Sequence, residues 1–518
     1  MSSARTRLLP APADITFLLV AFAAAVIRGW QAINTDGDLG RHLRVGREIL
    51  VHGLFFTDRF SWTMAGKPFV PYEWGSEVLF ALAHRAAGLP GVVAMTAIVI
   101  ALAYGGLNLL LQRVGVDPLL AFGTALTAAV LGSVHWLARP HVFSFVAVVG
   151  VMALLESSVV GHRSSVEQRP TTDSRRLVAA FLLFTLWANL HGGFLYGLVL
   201  IGFYIAGDLI ALVLERREGG HPEAFQRHSL LLLAALLGCC INPSGPAILS
   251  HVTGYLGKTW LLDMTAEYQS PDFHTGSGKE LLLVLLIVIA ALALLRRRMP
   301  WPHLVAFLGT TAFAMMSVRN VPLWALTGLL LVAIHANALW CRIAWRPLAR
   351  VQRAFAVGAA VARPGVWTVI PATALVVLAL RGGSLGGAQL LPGRFDPGVF
   401  PARLVEWARA EGISGRMFNE LTWGGYILNT WPEQHVFIDG QTDFYGVPLS
   451  KLYASLRAGE PGWERRLDSL GIDLVLIPVD ARLANRLAEV PAWSVADSAD
   501  GAILFRRNKR ALPALSHP

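Results

Sequence analysis

The chain has 518 residues, 54% of them hydrophobic and only 15% charged, with a mean hydropathy of +0.52. A soluble domain carries about a quarter charged residues, so the composition points to a multi-spanning membrane protein and excludes a disordered or collagen-like chain; three cysteines (Cys239, Cys240, Cys341) are too few for a disulfide scaffold. The formal net charge of +10 does not call for a nucleic acid, because Lys and Arg fall in short clusters between apolar runs and no zinc-finger or RNA-binding signature accompanies them.

In chain order, apolar runs cover roughly 15–33, 89–112, 118–136, 140–160, 177–190, 194–214, 229–242, 280–295, 301–318, 321–341 and 365–381. At about 20 apolar residues per crossing these predict about eleven transmembrane helices. The first run is long and lacks a small-residue cleavage site, so it reads as a retained helix rather than a removed signal. The stretch 177–214 is too long for one span and is interrupted by His191-Gly192-Gly193, which predicts two spans joined by a tight turn; a single kinked helix would invert everything downstream.

Short basic loops orient such a chain. If Arg5 and Arg7 mark a cytoplasmic N-terminus, the same side collects Arg113; Arg163, Arg169, Arg175 and Arg176; Arg216, Arg217 and Arg227; Arg296, Arg297 and Arg298; and Arg342, Arg346, Arg350, Arg353 and Arg363. The long connections 34–88 and 243–279 and the segment 382–518 then lie outside the cell's inner membrane. Loops of that length usually serve function. Leu39, Leu43, Ile49 and Leu50 fall on one side of a helix and Arg41, Arg44, Arg47 and Glu48 on another, which predicts an amphipathic helix at the membrane surface; Glu73 to Ala87 predicts a second.

The segment 382–518 changes character. Gly382-Gly383-Ser384-Leu385-Gly386-Gly387 reads as a flexible hinge. Strand-like stretches at 416–419, 435–439, 474–479 and 502–506 alternate with helical patterns at 401–411, 449–456, 463–470 and 481–488, which predicts a small α/β domain. The fold class is therefore an α-helical polytopic membrane domain, 1–381, followed by a soluble extracytoplasmic α/β domain, 382–518.

Polar residues at the span ends gather on the side opposite the arginine loops: Asp36 and Asp38, His135, Arg139 and His141, Asn189 and His191, Asn242, Arg319 and Asn320. Each alone reads as a cap or interfacial anchor; the set together points to a site or a wet cavity. Asp36-Gly37-Asp38 can hold a divalent cation such as Mg or Mn, or split into a base and its orienting partner, and His42 lies one helical turn beyond Asp38. A capping role for Asp38 fits equally well. Arg139 and Arg319 offer forked donors suited to phosphate; snorkelling to headgroups would explain them too. No P-loop, zincin or nucleophile-elbow motif is present in the sequence.

The stretch Asp36-Gly37-Asp38-Leu39-Gly40-Arg41-His42-Leu43-Arg44-Val45-Gly46 is similar to the opening of bacterial membrane proteins of the GT-C superfamily of polytopic glycosyltransferases. So are Asp58-Arg59-Phe60-Ser61-Trp62-Thr63, Tyr72-Glu73-Trp74-Gly75-Ser76-Glu77, Trp423-Gly424-Gly425-Tyr426 and Phe437-Ile438-Asp439-Gly440. The chain departs from that pattern at Gly40-Arg41, where bulky aromatics are usual, and it has no WWD-like motif, so peptide glycosylation is not supported. The resemblance implies an inverting transfer of a sugar from a polyprenyl-phosphate donor to a lipid, glycan or protein acceptor, with membrane lipids as further partners and no nucleic acid. It implies Asp38 as base, Asp36 assisting or sharing a metal, Arg139 and Arg319 on the phosphate, and His42, Glu73, His191 and Asn320 as further substrate contacts. A non-catalytic scaffold with an outer binding domain and a lipid or polysaccharide transporter are the rival expectations; a transporter calls for an internal repeat, and none is evident.

Overall fold

The structure, a computed structural model, describes residues 9–160, 174–214 and 222–508. Arg5, Arg7, Arg163, Arg169, Arg216 and Arg217 lie outside the described residues. The chain forms two compact units: Met1–Ala32, Arg85–Gly257 and Leu262–Pro392 make the first; Ile33–His84, Lys258–Leu261 and Gly393–Pro518 make the second.

The first unit is helical, and every apolar run carries a helix. Pro12–Phe22 continues into a π-turn, Ala23–Ile27; then come the 89–113 part of Trp74–Arg113, Pro118–Gly132, Val142–Val160, Ser174–Leu190, Phe194–Leu214, Pro222–Cys239, Gly276–Ala293, Trp301–Met316, Val321–Trp340 and Val369–Leu380. Among the described residues five helices are long and apolar enough to cross a membrane, and shorter apolar helices accompany them. The turn at His191–Gly193 separates two helices as expected. The Trp74–Arg113 helix breaks at Ala87 and Gly88, where Gly88 takes φ +62°, a conformation glycine adopts without strain.

The glycine run 382–387 is a hairpin rather than a loose hinge. Strand β1 (Ser384–Leu385) pairs antiparallel with β2 (Ala388–Gln389). Gly386 and Gly387 between them both have positive φ, as the two-residue turn that matches strand twist requires.

The helical unit also contains an internal polar network that sequence reading passed over. Glu156 accepts the hydroxyl of Tyr204 and lies 3.2 Å from His303 Nε2. His303 Nδ1 lies 2.9 Å from His335 Nε2, and His228 Nδ1 lies 2.6 Å from Asp208 Oδ2, with the Tyr204 ring packed against both His228 and His303. Five helices contribute. Glu156, Asp208, His228 and His303 are buried, and such groups persist in an apolar interior only when they satisfy one another.

The second unit is a sheet covered on both faces. Strands β3 (Met417–Asn419), β4 (Leu474–Pro478), β5 (Trp493–Ala499) and β6 (Ala502–Arg507) lie in the order β3-β4-β6-β5; the first pair is parallel and the others antiparallel. Residues alternate between faces along a strand. Met417, Leu474, Leu476 and Leu504 enter one core with Val45, Ile49, Phe55, Phe60 and Phe69 of the first long loop and with Leu404, Ile427 and Leu428. Phe418, Val475, Ile477 and Phe505 enter the other with Tyr453, Leu456, Leu467, Leu483 and Leu487. Each such side chain contributes about 1.5–3 kcal/mol on burial. The first long loop is thus part of the α/β unit.

Three expectations are corrected. The Asp38–His52 helix buries most of its expected apolar face in protein and not on a membrane surface: Leu39, Leu43 and Ile49 are buried, Leu50 stays exposed, and Arg41, expected on the polar side, is buried as well. Residues 435–439 form no strand of the sheet; Val436 makes a single parallel bridge to Ser61. The strand Trp493–Ala499 was not expected, because it is an edge strand with mostly exposed residues and a register shift near Asp497, and an edge needs no apolar alternation.

Replacing Glu156 by Ala leaves the Tyr204 hydroxyl and His303 Nε2 short of a partner. We expect a loss of about 1–3 kcal/mol, read as a lower melting temperature in detergent, with Glu156→Gln closer to wild type because it still accepts from Tyr204.

Candidate functional site

The residues singled out in the sequence fall into two sets, one in each unit. In the α/β unit the Asp36–Asp38 turn is closed by the Asp38 N–H donating to Asp36 Oδ1 at 3.0 Å, and the helix begins at Asp38. This turn is buttressed by two later segments. The Asp38–His52 helix packs on Gly424–Thr430, and the approach is so close that a Cβ at Gly40 would strike the Gly425 carbonyl, while one at Gly425 would strike the Gly37 carbonyl. A Cβ at Gly440 would collide with the Asp38 carboxylate, which therefore lies directly over that glycine. Three of the five stretches that carry the resemblance, 36–46, 423–426 and 437–440, are parts of one structure.

Arg41 fixes it. Its Nε donates to Asp439 Oδ1 at 3.1 Å, its Nη2 donates to the Gln441 side chain, and its guanidinium lies over the rings of Phe60 and Phe69. Asp439 also accepts from the Gln441 N–H at 2.9 Å and the Tyr445 hydroxyl at 3.0 Å. Burial alone would lower the Arg41 pKa, but the charge of Asp439 and then of Glu77 outweighs it and raises it. The departure at Gly40-Arg41 thus has a cause: no larger residue fits at 40, and 41 is one half of a buried ion pair. Asp439, read from sequence as a strand end, is the other half.

His42 Nδ1 lies 3.3 Å from Glu77 Oε1, both residues being buried. Burial would lower the His42 pKa; the bond to Glu77 and the charges of Glu73, Glu77 and Asp38 more than offset it and raise the value above 6.5. Glu73 thus acts on His42. The Asp58–Thr63 motif builds a turn: Asp58 accepts from the backbone and hydroxyl of Ser61, and Trp62 and Thr63 bond to the backbone of Val436, Met417 and Phe437.

In the helical unit Arg139 and Arg319 converge on a residue that sequence reading missed, Glu267. Arg139 Nη1 is 2.7 Å from one carboxylate oxygen and Arg319 Nη1 is 3.6 Å from the other. Arg319 also donates to the Tyr268 hydroxyl at 2.8 Å and lies over that ring. Burial would raise the Glu267 pKa, yet Arg139 and then Arg319 bring it down to about 2. His141 stands between His135 and His191 in ring contact with both and donates from Nε2 to the His135 carbonyl at 2.8 Å. His191 Nδ1 accepts from the Gly193 N–H at 3.0 Å and from Ser144 Oγ at 2.8 Å, the Ser144 oxygen being occupied by the Trp187 indole N–H; this assigns the His191 proton to Nε2.

The asparagines of the predicted set serve helix ends. Asn189 donates to the Thr185 and Ile241 carbonyls, Asn242 to Cys239 and Gly245, and Asn320 to Phe313. A cleft of about 310 Å³ passes Ala266 and Val318, chain neighbours of Glu267 and Arg319, and is lined by Leu131, Val134, Leu281 and Val321 together with Gln269, Asp272, Thr275 and Glu280; Arg139, Glu267 and Arg319 do not line it. Among the described residues no group of three or more His, Cys, Asp and Glu is placed to hold a metal ion; Asp36 and Asp38 supply two carboxylates.

No protein-family model and no curated protein sequence matches the chain. Solved structures do. ArnT from Cupriavidus metallidurans bound to undecaprenyl phosphate is similar with a TM-score of 0.55 at 13% identity, over 96% of this chain and 98% of that one. The apo oligosaccharyltransferase of Archaeoglobus fulgidus is similar with a TM-score of 0.58 at 12% identity, over 97% of this chain and 75% of that one.

Two outcomes test this geometry. Asp439→Ala leaves Arg41 buried without its carboxylate and should cost about 3–5 kcal/mol, measured by chemical unfolding. His42 has a raised folded pKa, so its stabilisation is complete below the unfolded value near 6.5 and is lost as pH rises through the folded value. Melting temperature should therefore fall more steeply on alkalinisation in wild type than in His42→Gln.

Proposed function

This multi-pass membrane chain has the GT-C fold, and on that premise we propose that it is an inverting glycosyltransferase that moves a sugar from a polyprenyl-phosphate donor to an extracytoplasmic acceptor. The observation that carries the reading is the Arg139–Glu267–Arg319 arrangement, two guanidinium groups gathered on one carboxylate. Two guanidinium groups suit a phosphate. The ArnT structure, with undecaprenyl phosphate bound, supports a ligand of this class.

In this reading the Asp38 carboxylate takes the proton of the acceptor hydroxyl. The freed oxygen attacks the anomeric carbon as the bond to the phosphate oxygen breaks, and the bonding pair leaves with the phosphate. Arg139 and Arg319 offset the charge that develops there. Asp36 holds the turn that aims Asp38; His42 and Glu73 set the charge around it, and His191 and Asn320 keep the arginine end of the helices in shape. Asp36 and Asp38 are the residues that would contribute carboxylates to a divalent cation such as Mg or Mn. The basic loops favour an inner-membrane topology with a cytoplasmic N-terminus and the α/β unit outside.

The test is release of free polyprenyl phosphate from labelled polyprenyl-phosphate sugars by the purified protein. Loss of a general base costs about 10²–10⁴-fold, so Asp38→Asn should fall by that factor in turnover while keeping the wild-type melting temperature. Wild-type turnover in that variant would refute Asp38 as base. Arg139→Gln and Arg319→Gln should each weaken donor use about tenfold or more, as loss of a hydrogen bond to a charged group implies.

A further inference from the structure

The arginine pair already holds an anion. Glu267 sits on the short Ala266–Tyr268 turn, whose backbone is fastened by Ser317 Oγ donating to the Glu267 carbonyl at 2.9 Å and the Val318 N–H donating to the Gln269 carbonyl at 2.8 Å. Two guanidinium charges less one carboxylate leave this three-residue cluster at +1, with Asp272 and Glu280 on the neighbouring cleft. We propose that Glu267 is a charge-balancing residue that loosens the hold of Arg139 and Arg319 on the phosphate product relative to the donor. The proposal rests on the reading of those arginines as the phosphate site.

The donor is a phosphodiester with one negative charge. When its bond to the anomeric carbon breaks, the electron pair stays on the phosphate oxygen and the acceptor's proton passes to Asp38. The product is a monoester whose second ionisation lies at about 6, so at neutral pH it carries nearly two charges. Coulomb energy scales with the product of the charges. Glu267, ionised throughout this range, therefore repels the product about twice as strongly as the donor. Without it the arginines would hold the product most tightly when it should leave.

The test measures binding of undecaprenyl phosphate, and of its singly charged methyl ester, to the full-length protein in detergent. At about pH 7.5, Glu267→Gln should tighten the methyl ester about threefold and the free phosphate by the square of that, about tenfold. At about pH 5, where the phosphate carries about one charge, both gains should be about threefold. Glu267→Asp, which keeps the charge, should keep the wild-type ratio. Equal gains for the free phosphate at both pH values, no gain, weaker binding, or a Glu267→Asp ratio like that of Glu267→Gln would overturn the proposal, because Glu267 would then only hold the turn in place. If Arg139→Gln and Arg319→Gln bind both probes as wild type does, the phosphate site itself falls, and that outcome is distinct from a failure confined to Glu267.

Discussion

The α/β unit depends on one constraint: two stretches of backbone must approach more closely than side chains allow, and a buried ion pair must hold them there. Gly40 and Gly425 permit the approach; Arg41 and Asp439 secure it. Once the Asp38–His52 helix is locked to Gly424–Thr430, Val45 and Ile49 have a protein core to enter, Phe60 and Phe69 close over the guanidinium, and Asp38 is pinned above Gly440. The apolar face of that helix would otherwise suit a lipid surface. The sheet supplies a better partner, because it also satisfies the arginine on the same helix.

Two arginine–carboxylate arrangements in the chain show how desolvation separates structure from exchange. The Arg41 and Asp439 side chains are 4% and 1% exposed, and each is saturated by further partners. A ligand would have to displace a pair that neither member can leave without an uncompensated buried charge. Arg139, Glu267 and Arg319 are 19%, 25% and 30% exposed, with two cations to one anion. The first arrangement holds the fold; the second, partly exposed and with an excess of positive charge, is the one that the proposed reading assigns to an incoming anion.

What could be read from sequence follows from the range of each signal. Apolar runs are local, and each of them carries a helix. The glycine-rich motifs were visible as similar stretches, but their meaning was not: Gly37, Gly40, Gly425 and Gly440 matter through one another, nearly 400 residues apart. The same distance hid Asp439, whose partner Arg41 looked like surface charge. Glu267 had no signal, being a single acid in a long loop whose arginines lie 128 and 52 residues away. Residues 435–439 are apolar enough for a strand, yet their backbone is taken up by the Asp58–Thr63 turn and by the Asn419 amide, which bonds to Phe437 and Ile438.

Three helices of the membrane unit carry polar groups at two levels. Val142–Val160 has Ser144 near its start and Glu156 twelve residues on; Phe194–Leu214 follows His191 and carries Asp208; Val321–Trp340 follows Arg319 and carries His335. At about 1.5 Å per residue, the levels within a helix stand about 18–26 Å apart. The lower level is paired, with Glu156, Tyr204, His303 and His335 joined and Asp208 taken by His228 Nδ1, while His228 Nε2 is left without a hydrogen bond. Ionisable groups among apolar helices are costly unless paired, and here pairing across five helices turns that cost into a constraint on how those helices register. The upper level, His135, His141, His191 and the two arginines on Glu267, inherits this alignment. Its own polar groups need not hold the bundle together, so they can be arranged around a charge instead.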